Sequence, residues 1–238
     1  MKLSNLIKLV IIGGSNAYWE IKELINDINQ VSARYQIIGI LDDNEVLIGK
    51  SYDGIVINGP IDLAKKYPED VKFVFAIGSH STRIIRESIL VRLGIQQDRF
   101  VTLIHPSAKI FSTADIGPGC IVHYGTVIFH ESRIGPFCIV AANCVIAVRN
   151  LIGRGSLLGS SITTTLGVRI GCFSFIGSGS NIGEGVEIGP GAKIGMGSLI
   201  LKDVMGGAFV LGNPPRILDK VDVPISIVEE WIAVKAKY

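Results

Sequence analysis

From residue 110 onward an aliphatic side chain returns at every sixth position without an insertion. The series is Ile110, Ile116, Val122, Ile128, Ile134, Val140, Ile146, Ile152, Leu158, Thr164, Ile170, Ile176, Ile182, Ile188, Ile194 and Ile200. Fifteen of these sixteen positions are Ile, Leu or Val, with Thr164 the exception. If about a third of positions were aliphatic, chance agreement of this quality would be on the order of one in a million. The residue after the aliphatic one is glycine in nine of the sixteen hexads. The residue four places after it is mostly small, as at Ala114, Cys120, Thr126, Ser132, Cys138, Cys144, Ser156, Ser174 and Ser180. One large and one small inward residue per hexad suit a short strand that turns a corner every six residues, three strands making a coil of eighteen. Residues eighteen apart then stack at about 4.8 Å, the spacing of paired strands.

The first hundred residues follow another pattern. Apolar runs at 6–12, 36–41, 72–77 and 99–104 predict strands, and amphipathic segments at 17–28, 61–66 and 82–93 predict helices. Such alternation implies a parallel sheet covered by helices, which binds ligands at the carboxyl ends of its strands. The expected organisation is an α/β Rossmann-like domain over 1–104, a β-helix over 105–216, and a tail over 217–238 whose helix starts near Pro224.

Composition narrows the function. Net charge is +2 with no basic run, too weak a field for nucleic acid. The uncharged run 134–148 is shorter than the roughly 18 residues of a membrane span, and the first fourteen residues lack a small-residue cleavage site. The expectation is a cytoplasmic protein without membrane insertion. Four cysteines, at 120, 138, 144 and 172, show no CxxC spacing, so buried thiols are expected rather than disulfides or zinc.

Several pieces in fixed order carry a family resemblance: Ile12-Gly13-Gly14-Ser15, Leu41-Asp42-Asp43, Ala76-Ile77-Gly78, Leu103-Ile104-His105-Pro106-Ser107-Ala108, His130-Glu131 and Gly212-Asn213-Pro214-Pro215-Arg216. In that order the chain resembles the NeuD/PglD-type sugar O- and N-acyltransferases, hexapeptide-repeat proteins. The resemblance implies a left-handed β-helix, a homotrimer with sites between subunits, and acetyl-CoA or a related acyl-CoA as co-substrate without a metal. The partner it implies is a nucleotide-linked amino sugar of the kind used in surface polysaccharide biosynthesis.

The same resemblance distributes roles. His130 is the general base and Glu131 the residue that orients it. Gly13, Gly14, Ser15, Asp42, Asp43, Ser79 and His123 contact the nucleotide sugar, while Val148, Ser160, Leu166, Ser178 and Arg216 contact the acyl-CoA. The chemistry is apt, because acyl transfer needs a base for the nucleophile's proton and neutral histidine serves near pH 7. A plainer alternative is a solvated His-Glu pair.

Two departures stand out. Better-known members carry a second histidine nine residues after the first, where this chain has Ile139, which cannot donate to a thioester oxygen. The glycine turn is also not G-x-G-x-x-G, since Ala17 and Tyr18 stand at the later glycine positions, which argues against a dinucleotide site, and it lacks the family's Gly-His-Gly continuation, which leaves the nucleotide open. The rival readings are a non-catalytic nucleotide-sugar-binding module, a sialic-acid-type O-acetyltransferase, and a metal enzyme resembling γ-class carbonic anhydrases. The last is disfavoured because His123 and His130 are seven apart rather than five.

Overall fold

A computed structural model describes residues 6–13 and 17–238. Gly14 and Ser15, expected at the nucleotide, lie outside the described residues.

The N-terminal sheet has five strands: β1 (Ile7–Ile12), β2 (Tyr35–Leu41), β3 (Ser51–Tyr52), β4 (Ile55–Gly59) and β5 (Lys72–Phe75), in the order β3-β4-β2-β1-β5. β1 runs parallel to β2 and β5. Its residues Leu9 to Ile12 are fully buried because helices cover both faces. Helix α1 (Ala17–Val31) inserts Tyr18, Ile21, Leu24 and Ile25 against one face. Helix α2 (Ile85–Leu93) starts later than its pattern predicts and ends at Gly94, which takes the left-handed conformation. The segment 61–66 forms a 3₁₀ helix. The β3–β4 hairpin was not expected, although its turn is Asp53-Gly54, both at positive φ, the pairing that two-residue hairpins favour.

The predicted strand 99–104 is divided between the two halves of the molecule. Phe100 bridges to Phe73 in the N-terminal sheet, whereas Leu103–Ile104 pairs with Ile121–Val122 and opens the β-helix. Ile104 stands six residues before Ile110, so the hexad register begins one strand earlier than the residue-110 start of the pattern.

From there two-residue strands stack in parallel at eighteen-residue intervals into three faces. The docked face begins with strands 103–104, 121–122 and 139–140, and carries the N-terminal domain through Leu103, Ile121 and Ile139. The capped face holds strands 115–116 to 187–188 and is covered by helix α3 (Ile225–Lys235), whose Ile227 and Trp231 bury against Leu151 and Phe173. On the open face, strands 109–110 to 199–200, none of the outward residues Lys109, Val127, Val145, Thr163, Asn181 and Leu199 is buried.

Glycine has two separate tasks in the coils, at two different positions of the hexad. The corner turns three residues after the aliphatic position, where Glu131, Phe137, Asn143, Arg149, Ser161 and Phe173 hold φ of 55–60° alongside glycines such as Gly155 and Gly167. The glycine directly after the aliphatic residue serves close stacking. A Cβ at Gly117 would lie 2.7 Å from the backbone nitrogen of Pro136, and one at Gly153 2.5 Å from that of Cys172. Inside the prism, the small slot supplies donors to carbonyls fifteen residues on: Ser156 Oγ to Gly171 at 2.8 Å, Cys120 Sγ to Gly135 and Cys138 Sγ to Gly153, both at 3.1 Å. Asn150 takes the same slot, its Nδ2 donating to the carbonyls of Ala147, Val148 and Thr165. All four cysteines are buried free thiols, and burial pushes Cys172 up to about 12.

Past the last coil the chain does more than end in a loop. Strand Ala208–Leu211 pairs antiparallel with Arg216–Lys220, extending the docked sheet to eight strands.

Phe137 and Arg86 lock the domains together. Phe137, at a β-helix corner, packs on Phe75 and Phe100 of the N-terminal core. Arg86 is fully buried, donates to the carbonyls of Ile77 and Phe137, and lies over the Phe75 ring. It has no carboxylate partner among the described residues, and burial lowers its pKa to about 10.

Candidate functional site

The expected nucleotide-sugar residues fall into two cavities. Gly13, Asp42, Asp43 and Ser79 line a cavity of about 360 Å³ at the carboxyl ends of the N-terminal strands, the place this sheet class favours for ligands. Gly13 takes φ +86°, and a side chain there would run into Ile77, so the backbone itself forms the wall. Asp42 accepts from the Asn44 N–H at 2.9 Å. Asp43 accepts from the Ile61 N–H at 3.0 Å and from Arg92 at 2.5 Å. Both carboxylates therefore shape the loops around the cavity. Ser79 closes its own turn with Thr82, whose Oγ1 accepts from the Ser79 N–H at 2.8 Å.

His123 lies apart from that group, in a cavity of about 450 Å³ between α1 and the edge shared by the docked and open faces. Trp19, Asp27, His105, Tyr124 and Ser160 join it there. Burial, the largest influence, pushes the His123 imidazole below its ordinary value, so the ring is neutral at pH 7. His105 is spoken for: Nε2 meets Asp27 at 2.9 Å and Nδ1 meets Ser107 Oγ at 2.8 Å.

His130 projects from the opposite edge of the open face. Its Nδ1 lies 3.0 Å from Thr113 Oγ1, which also accepts from the Glu131 N–H at 3.1 Å, and its ring meets Phe111 edge-on at 4.6 Å. Nε2 makes no hydrogen bond among the described residues. In the tautomer that donates from Nδ1 to Thr113, Nε2 offers a lone pair to solvent. Thr113 escaped the sequence reading, yet it stands eighteen residues before Glu131, directly beneath it in the stack.

The expected pairing of Glu131 with His130 is corrected. Glu131 Oε2 accepts from Arg149 Nε at 2.8 Å, and this contact chiefly holds its carboxyl below the usual range. The left-handed corner geometry at Glu131 turns its side chain toward the next coil, where Arg149 occupies the equivalent corner. Thr113 is the side chain that hydrogen-bonds the imidazole. Ile139 faces the N-terminal domain and packs close to Gly78, so it contributes an apolar contact on another face.

The residues expected at the acyl-CoA separate in the same manner. Val148 and Leu166 follow His130 at eighteen-residue steps, forming an apolar column on its edge. Ser160 and Ser178 form a column on the His123 edge, the Ser160 N–H donating to Ser178 Oγ at 3.1 Å. One chain thus puts an imidazole and an apolar strip on one margin of the open face, and a polar strip with a cavity on the other. Arg216 sits on the exposed final strand opposite Leu211 and lines none of these cavities.

Comparison with known proteins fits this division. Residues 8–88 match the PglD N-terminal domain family, and residues 167–202 match the bacterial transferase hexapeptide family. UDP-N-acetylbacillosamine N-acetyltransferase of Bacillus subtilis is 32% identical over 116 residues, 48% of this chain and 50% of that protein. The match therefore spans about half the length of that curated relative. PerB from Caulobacter crescentus, solved with CoA and GDP-perosamine, superposes with a TM-score of 0.77 at 23% identity, over 92% of this chain and 99% of its own. The acetyltransferase domain of PglB from Neisseria gonorrhoeae, solved with acetyl coenzyme A, gives 0.73 at 24% identity, over 90% and 100%. At such identities these two structures speak for the fold. The chain thus carries a segment matching the PglD N-terminal domain followed by one matching the bacterial transferase hexapeptide repeats, in the fold that the two structures share.

Proposed function

We propose that the protein transfers an acetyl group from acetyl-CoA to the amine of a nucleotide-linked amino sugar, with His130 as general base. The observation that carries this reading is His130 itself: an imidazole held by Thr113 through Nδ1, with Nε2 unengaged, at the margin of an uncovered face. Attack on a thioester carbonyl requires the amine to lose a proton, and Nε2 takes it as the new C–N bond forms. The carbon–sulfur bond then breaks and the thiolate leaves, receiving a proton from the imidazolium. Thr113 acts as a positioning residue. The Glu131–Arg149 pair sets the local charge beside the imidazole without holding it. The donor to the carbonyl oxygen is a group other than Ile139, which has none to give.

The division of the site between the two margins of the open face supports a homotrimer. In such an assembly the His130 margin of one copy meets the His123 margin of the next, uniting the apolar column Val148 and Leu166 with Ser160 and Ser178. The pantetheine arm lies between them. The nucleotide is held by the N-terminal cavity at Gly13, Asp42, Asp43 and Ser79. His123, neutral and half-buried, contacts the sugar. The relatives' names, UDP-N-acetylbacillosamine N-acetyltransferase and perosamine N-acetyltransferase, favour an amine over a hydroxyl acceptor.

The test is release of free CoA from acetyl-CoA with UDP-, GDP- and dTDP-linked amino sugars. Turnover with one amino sugar, and none with its hydroxyl counterpart, is expected. Tight nucleotide-sugar binding with no thioester cleavage across the panel would favour a non-catalytic binding module.

A further inference from the structure

On the capped face, immediately beside His130, is a cavity of about 730 Å³ that none of the roles above uses. Its walls include Thr113, Glu131, Arg133, Arg149, Arg169 and Lys237. Arg149 is paired with Glu131. Arg133, Arg169 and Lys237 have no carboxylate within 4.0 Å among the described residues, although Asp115 and Glu187 stand in register beside the two arginines. Glu187 is engaged by Lys235 at 2.5 Å and Trp231 at 3.2 Å. The Tyr238 ring lies 3.8 Å from the Arg133 guanidinium and buttresses it. Arg133, Leu151 and Arg169 occupy successive coils in register, so the backbone positions that carry the two guanidiniums stand about 10 Å apart along the stack. Three unpaired cations around one concavity make an anion site, and planar guanidiniums suit phosphate oxygens.

We propose that this cavity binds the diphosphate of the nucleotide-linked acceptor. The inference rests on the acyl transfer proposed above, because it uses His130 as the fixed point. Thr113 and Glu131 belong both to the cavity wall and to the surroundings of His130. The cations therefore lie within about two coils, roughly 10 Å, of the imidazole. From ordinary bond lengths, a hexose places its amine about 5–8 Å from the nearest phosphorus, whereas the pantetheine arm separates the thioester from the nearest CoA phosphorus by about 15–20 Å. A phosphate beside His130 is thus within reach of the acceptor and too near for CoA. The nucleoside stays in the N-terminal cavity of the neighbouring copy, and its diphosphate bridges to these arginines.

The experiment is calorimetric titration of the full chain with inorganic pyrophosphate, followed by displacement with a UDP- or GDP-linked sugar and, separately, with CoA. Neither arm needs turnover, so a failure of the acyl-transfer reading does not obscure the result. Wild type is expected to bind pyrophosphate, to release it to the nucleotide sugar and to retain it against CoA. The double variant Arg133→Gln, Arg169→Gln should bind it at least tenfold more weakly. Both side chains are exposed, so an unchanged melting temperature is expected. In an active preparation the same variant raises KM for the acceptor about tenfold and leaves KM for acetyl-CoA within twofold. Equal pyrophosphate affinity in the two proteins, or displacement by CoA and not by the nucleotide sugar, overturns the proposal.

Discussion

Thr113 and His123 decide most at the scale of single residues. The Thr113 hydroxyl fixes the rotation of His130 through one hydrogen bond, a contact worth about 0.5–1.5 kcal/mol. Thr113→Val should therefore lower kcat by about 2- to 10-fold with KM for acetyl-CoA unchanged, and Thr113→Ser should restore it. Equal kcat in all three proteins would remove Thr113 from the mechanism. His123 predicts a pH effect. The unfolded chain gains a proton at this residue near pH 6.5, while burial keeps the native imidazole neutral to lower pH. Its contribution to stability is thus present above about pH 6.5 and is lost as pH falls through the native value. Urea midpoints measured between pH 7 and 5 should fall more steeply in wild type than in His123→Gln. The candidacy of His130 was legible from its place in a motif. The partner of Glu131 was not, because a carboxylate beside a histidine in sequence says nothing of the corner that turns it toward Arg149.

The hexad, as an element, makes different demands at its two glycine-rich positions. Gly153 sits where a Cβ meets the backbone of Cys172, so Gly153→Ala overpacks the stack and should cost about 1–3 kcal/mol. Ser161, at a corner with φ of 58°, already bears left-handed strain. Ser161→Gly should change stability by no more than about 1 kcal/mol, in the stabilising direction if at all. Thermal denaturation of both variants checks the assignment, and the reverse order of effects would contradict it. The six-residue period made the coils readable, since every inward position repeats its chemistry. The hairpin at 51–59 and the closing strand Arg216–Lys220 went unread. The first is too short for alternation to show, and the second is exposed along its whole length, leaving no apolar face to mark it.

For the whole molecule, the order of an α/β domain and a β-helix was visible in two distinct periodicities, but their junction was not. Phe137 fills an N-terminal core from a β-helix corner, and Arg86 crosses between the domains to the Phe137 carbonyl. No sequence pattern announces either contact, because both depend on which face of the prism receives the sheet. The open face carries the prediction about assembly. Val127 and Val145 lie along it only half-buried, and Val145→Arg should convert the proposed trimer into monomers by light scattering and abolish turnover. An active monomer would refute a site shared between copies. The chemistry itself rests on His130, and its most direct test is the turnover number of His130→Ala with acetyl-CoA and the preferred amino sugar. The loss belongs to the transition state, so kcat should drop about 10²- to 10⁴-fold while acetyl-CoA affinity, assembly and melting temperature stay as in wild type. Near wild-type turnover in that variant would contradict the account.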